Sequence, residues 1–121
     1  MDFILMPNTC DYQLQGFVEG TLLINQQPYQ SSVLVSSTSL AAWRPQCLSD
    51  IQLSDLRALS ALNADVILLG TGMQMQFLPL ELQSFIRTQS LPLEVMTTSA
   101  AIRTFQVLCA EQRLVYAALL V

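Results

Sequence analysis

The sequence predicts an α/β fold, and three observations carry that prediction. Val66-Ile-Leu-Leu69 is apolar without alternation, the pattern of a strand covered on both faces, and it runs straight into Gly70-Thr71-Gly72. A helical pattern opens at Pro79 and is followed by a second apolar strand, Leu93-Glu-Val-Met96. A further helical pattern carrying Arg103 leads to a last apolar run, Arg113 to Val121. The second half of the chain therefore reads strand–helix–strand–helix–strand.

Each element has its own local reason. Phe17–Ile24 and Ser32–Val35 read as two strands joined through Asn25-Gln-Gln-Pro28, whose Asn and Pro favour a reversal. Gly16 and Gly20 bracket the first strand and point to a bulge or a close backbone contact. Ser36 to Asp50 is the least regular stretch and contains Trp43-Arg44-Pro45. Leu53 to Leu62 is a helix with Ser54 as the expected N-cap, Asp55 in its first turn and Asn63 as a left-handed end. In the helix from Pro79, Leu78, Leu82, Phe85 and Ile86 share one apolar face, and Pro79 suits the first helical position. Thr97 or Thr98 caps the last helix, with Ala101, Ile102, Phe105, Leu108 and Cys109 on its core face. Arg113 to Val121 closes the chain as a strand.

Composition removes several mechanisms. The length fits one domain over 1–121, with the first ten residues expected to be poorly ordered. Hydrophobic residues make up 52% and charged residues 12%, so the surface invites a protein partner or self-association. The plainer alternative is a well-packed domain dressed in Gln, Ser and Thr. With five Arg, no Lys and a net charge of −4, nucleic acid is not an expected partner. Without His there is no Ser-His-Asp triad, Cys-His pair or His-ligated metal; without Lys there is no Schiff base. Cys10, Cys47 and Cys109 form no Cys-x-x-Cys, and their odd number suits a reducing, cytoplasmic setting with Cys109 in the core. Met1 to Met6 is apolar but short and acidic where a signal peptide is basic, and no apolar run is long enough for a membrane helix. No catalytic residue, metal or cofactor is indicated, and the balance leans away from an enzyme.

Gly70-Thr71-Gly72 follows a strand as a phosphate-binding turn does, but Met75 stands where a dinucleotide site places its third glycine. It also lacks the Gly-Lys-Ser/Thr ending of a P-loop. Two glycines still permit a concave row of backbone N–H groups. If the strands at 66–69 and 93–96 are parallel neighbours, Gly70, Thr71, Gly72, Thr97 and Thr98 meet at one sheet edge, with Arg103 near it. Such a pocket would take a small anion or a carboxylate. The plainer alternatives are a tight strand exit and an ion pair from Arg103 to Glu81 or Glu94. Met73, Met75 and Phe77 form a polarizable loop that could meet a partner, and Trp43 could join that interface or anchor its own loop.

An ordered set of short matches runs through nearly the whole chain. It comprises Gln15-Gly16-Phe-Val-Glu-Gly20, Ile24-Asn25, Tyr29, Ser32–Val35, Trp43-Arg-Pro45, Val66–Gly72, Phe77-Leu-Pro79, Glu81-Leu82, Glu94–Met96 and Ala100–Phe105. In these the chain resembles the small domains of uncharacterised function that include the mitochondrial complex I assembly factor and the adipogenesis-associated Mth-type domain protein. The resemblance implies a three-layer α/β fold with a central mixed sheet, helices packed on it and an extra N-terminal β-hairpin. It implies no established enzyme activity, and an assembly role for some eukaryotic members. The chain departs from the family pattern at Gln26, in place of a common glycine, so its hairpin turn is expected to differ. It departs again at Thr97, Ile102 and Phe105, which replace an acid, a cysteine and a tyrosine, whereas Arg103 is kept.

Overall fold

The computed structural model describes residues 11–121, so the readings made of Met1–Met6 and of Cys10 lie outside the described residues. Eight strands and three helices follow one another: β1 Leu14–Val18, β2 Thr21–Ile24, β3 Gln27–Tyr29, β4 Val33–Ser36, β5 Leu40–Ala42, α1 Leu53–Ser60, β6 Val66–Gly70, α2 Leu80–Thr88, β7 Leu93–Met96, α3 Thr98–Ala110 and β8 Val115–Leu119. A single 3₁₀ turn, Leu48–Asp50, precedes α1.

Two sheets result. β1, β2 and β3 form an antiparallel meander, and the central sheet runs β5-β4-β8-β6-β7. β8 lies antiparallel to β4 and parallel to β6, and β6 lies parallel to β7, so the central sheet is mixed. Its side chains alternate between two cores, as a strand period of two requires. Val66 and Leu68 of β6, with Val115 and Ala117 of β8, enter a core shared with α3 and the small sheet. Ile67 and Leu69, with Ala118, enter a second core under α1 and α2. The expected three layers and hairpin element are therefore present, and the unalternating run at 66–69 is explained by cover on both faces.

Several local expectations are corrected. The strand read as Phe17–Ile24 is two strands, because Gly20 at φ 84° reverses the chain between Val18 and Thr21. Gly16 sits at a register shift between β1 and β2, the bulge expected of it. The reversal at Asn25-Gln26 is a two-residue turn with φ of 48° and 67°, so Gln26 adopts the left-handed conformation that glycine favours. Helix α1 starts two residues earlier than Ser54 implied: its N-cap is Gln52, whose N–H donates to Asp55 Oδ2 at 2.7 Å. Pro79 is the N-cap of α2 rather than its first helical residue, and β8 is shorter than the run Arg113 to Val121. Asn63 does take the left-handed conformation, at φ 52°. Cys109 is buried in the first core, but it is disulfide-bonded, which the expectation of reduced cysteines did not include. Spacing along a chain does not report which sulfurs a fold brings together.

Candidate functional site

The end of β6 is locked by one side chain. Thr98, fully buried at the start of α3, accepts a hydrogen bond from the Gly72 N–H at 2.8 Å and donates to the Leu120 carbonyl at 2.7 Å. Backbone bonds reinforce it: Thr98 N–H to the Gly72 carbonyl at 3.0 Å, Leu120 N–H to the Gly70 carbonyl at 3.0 Å, and Thr71 N–H to the Met96 carbonyl at 2.8 Å. A Cβ on Gly70 would stand 2.8 Å from both Cα and Oγ1 of Thr98, so only glycine permits this approach. The N–H groups of Thr71 and Gly72, which a bound anion would need, are thus already partnered within the chain. The hydroxyl of Thr71 donates to the Gln74 carbonyl at 2.6 Å, and that of Thr97 accepts the Ala100 N–H at 3.2 Å as the helix cap.

The parallel pairing of β6 with β7 does bring Gly70, Thr71, Gly72, Thr97 and Thr98 to one sheet edge. Of these, Thr71 and Gly72 line a cleft of about 280 Å³ together with Glu19, Cys47, Gln74 and Gln76. Its charged wall is the acid Glu19, which disfavours an anion. Arg103 is exposed on α3, does not line the cleft, and makes no hydrogen bond or ion pair among the described residues. It therefore pairs with neither Glu81 nor Glu94.

A second surface lies between α2 and β7. Met73, Met75 and Phe77 are 57%, 44% and 77% exposed, and Leu80, in the first turn of α2, is 81% exposed. Phe77 walls a groove of about 300 Å³ lined with Leu78, Gln83, Ile86, Arg87 and Val95. The Gln83 amide donates to the Leu78 carbonyl at 2.7 Å and fixes the groove wall where the loop enters the helix. Trp43, by contrast, is 7% exposed and belongs to the second core, so it anchors its loop. Leu80 escaped the sequence reading, and Ile86 and Val95 were read only as part of a helix face and a strand. The available signal was Leu80, an apolar residue outside the Leu78–Leu82–Phe85–Ile86 face of an amphipathic helix.

The segment carrying Trp43 is held by the one ion pair among the described residues. Arg44 Nη2 lies 2.6 Å from Asp55 Oδ2, its Nε donates to Asp55 Oδ1 at 3.1 Å, and Nη2 also donates to the Asp50 carbonyl. This hydrogen bonding by Arg44 holds the Asp55 carboxyl below its ordinary range, against the opposing effect of its burial. Asp55 is a buried linchpin rather than a surface charge. Asp50 is tied in as well, accepting the Gln46 N–H at 3.0 Å.

Comparison with known proteins gives three kinds of relative. The model of a family described as "Protein of unknown function (DUF498/DUF598)" matches residues 14–120. The NADH dehydrogenase (ubiquinone) 1 alpha subcomplex assembly factor 3 of Xenopus tropicalis is 28% identical over 111 residues, which are 90% of this chain and 58% of that protein. The chain thus spans little more than half of that relative. A Francisella tularensis protein named "13 kDa major membrane protein" is 26% identical over 99 residues, 80% of each chain. Among solved structures, the NMR structure of a Xanthomonas campestris protein is 35% identical, covers 91% of this chain and 84% of its own, and superposes with a TM-score of 0.82. Among the described residues no helix is long and apolar enough to cross a membrane.

Proposed function

The chain belongs to the DUF498/DUF598 family of proteins of unknown function, and from that premise we propose that it is a protein-binding module of assembly-factor type rather than an enzyme. The observation that carries this reading is the 77% exposure of Phe77 on the wall of the apolar groove between α2 and β7, with Leu80 81% exposed in the first turn of α2. Large apolar side chains clustered at a groove are costly in water and gain from cover by a partner. The similarity to a protein named as an NADH dehydrogenase assembly factor supports the same direction. The test is a photo-crosslinking residue at Leu80, with Arg57 on exposed α1 as the control position. Adducts formed from Leu80 and lost on Phe77→Ser support the reading. Adducts no stronger than those from position 57 overturn it.

A cytoplasmic location accompanies this proposal without support from the cysteines, since Cys109 is disulfide-bonded, and recovery in the washed membrane fraction would refute it. The second reading is a small-ligand site at the glycine turn, favoured by the cleft that Thr71 and Gly72 line with three glutamines. A thermal-shift screen of small polar ligands against wild type and Gln76→Leu, a change in the cleft wall, tests it. Stabilisation of the wild type that the variant loses supports a ligand site in this cleft, and absence of any shift sinks it.

A further inference from the structure

The groove between α2 and β7 is apolar with one exposed cation on its wall, and we propose that it binds a small apolar carboxylate, a short acyl or aryl body ended by a single charge. The body lies along Phe77, Leu78, Ile86 and Val95, and the carboxylate meets the guanidinium of Arg87. No acid lines the groove, so on a chain of net charge −4 it is a local place for an anion. The cleft at the glycine turn has the opposite character, since Glu19 is its charged wall. At about 300 Å³ the groove stands at the small end of ligand sites, which are mostly apolar with a few polar groups that fix orientation. The inference goes beyond the protein-binding reading and does not depend on it, because Leu80 lies outside this lining and stays open to a partner.

Arg87 has no competing task. The residues three and four positions to either side of it, Gln83, Ser84, Ser90 and Leu91, include no acid, so pairing along the helix has nothing to offer it. Its guanidinium makes no hydrogen bond or ion pair among the described residues. The last carbonyls of its own helix do not claim it either, because those of Phe85, Ile86 and Arg87 accept the N–H groups of Gln89, Leu91 and Ser90. Gln83, by contrast, is committed. Its amide donates to the Leu78 carbonyl at 2.7 Å and holds the groove wall in place, so the site needs little ordering before it binds. The other lining side chains are apolar, and a peptide backbone laid along them would leave most of its N–H and C=O groups without side-chain partners. An acyl or aryl body carries no such groups. That difference selects a free small acid over a protein segment as the occupant of the groove itself.

Titration of the full chain with octanoate, octanamide and octylammonium, read from the methyl resonances of Leu78, Ile86 and Val95, tests this. Octanoate is expected to shift these methyls saturably and to bind roughly five-fold more tightly than octanamide, with octylammonium the weakest. Arg87→Gln is expected to remove the advantage of octanoate and leave octanamide as in the wild type, whereas Arg87→Lys keeps part of it. Arg87 is exposed, so both variants should fold as the wild type does. Octanoate that binds no more tightly than octanamide, or an advantage that survives Arg87→Gln, overturns the inference. Absence of any saturable shift overturns it too; if Leu80 still crosslinks to other proteins in that case, the protein-binding reading stands alone. Octanoate binding with no adducts from Leu80 keeps the acid site and removes the protein-binding reading instead.

Discussion

Thr98 shows how a polar residue can be worth more to a fold than its hydroxyl suggests. Its Oγ1 serves two buried backbone groups, the Gly72 N–H and the Leu120 carbonyl, which no water could reach. Thr98→Val keeps the volume and leaves both unpaired, which should lower stability by about 2–4 kcal/mol. Thr98→Ser keeps the hydroxyl and should lose only about 1 kcal/mol for the methyl group. Urea midpoints at unchanged slope check the pair, and equal losses would refute the hydrogen-bond account. The sequence marked this residue as a polar group at a pocket edge. It could not show that β8 delivers the Leu120 carbonyl to the hydroxyl, because that depends on a register between strands far apart in the chain. Arg103 was misplaced for the opposite reason: its position along α3 was known, but not which face of the helix the core would claim.

At the scale of elements, what was legible is what local chemistry decides. The run at 66–69, a threonine cap at Thr97 or Thr98 and the left-handed end at Asn63 are written in adjacent residues; all three are found, with Thr97 as the cap. The turn at Gly20 was missed because an apolar run continues through it. Gln26 is a local conflict of a useful kind. At φ 67° it bears left-handed strain that glycine would not. Gln26→Gly should therefore stabilise the hairpin by about 0.5 kcal/mol, the relief of strain less the entropy of a freer unfolded chain. Asn25→Gly, at a residue that tolerates this conformation, should change little, and thermal melts of the two variants decide the point. The start of α1 depends on charge. The Asp55 carboxyl is held below its ordinary range, so its stabilisation is complete above the unfolded value near pH 4 and is lost as pH falls through the folded one. Asp55→Asn should be less stable by about 1 kcal/mol at neutral pH, with the gap closing in acid. A gap constant from pH 7 down to acid would show that shape, not charge, matters at this cap.

For the molecule as a whole, the chief question is whether its exposed apolar residues belong to folding or to recognition. The groove between α2 and β7 was not legible in sequence, because Phe77, Ile86 and Val95 come from a loop, a helix and a strand that meet only in three dimensions. Burial separates the two roles. Leu82 is 4% exposed and Leu80 is 81% exposed, though both stand in the same helix two residues apart. Transfer from water stabilises a fold only for surface that folding removes from water. Leu82→Ser should therefore cost about 3 kcal/mol, whereas Phe77→Ser with Leu80→Ser should shift stability by no more than about 0.5 kcal/mol. The double variant should nonetheless bind less hydrophobic dye and associate less. This effect should be clearest as the pH falls toward the isoelectric point near 4.4, where the net charge that keeps molecules apart vanishes. Denaturation and dye binding measured on the same samples separate the outcomes. If the double variant unfolds as easily as Leu82→Ser, the patch belongs to the core, and the case for a binding surface there fails.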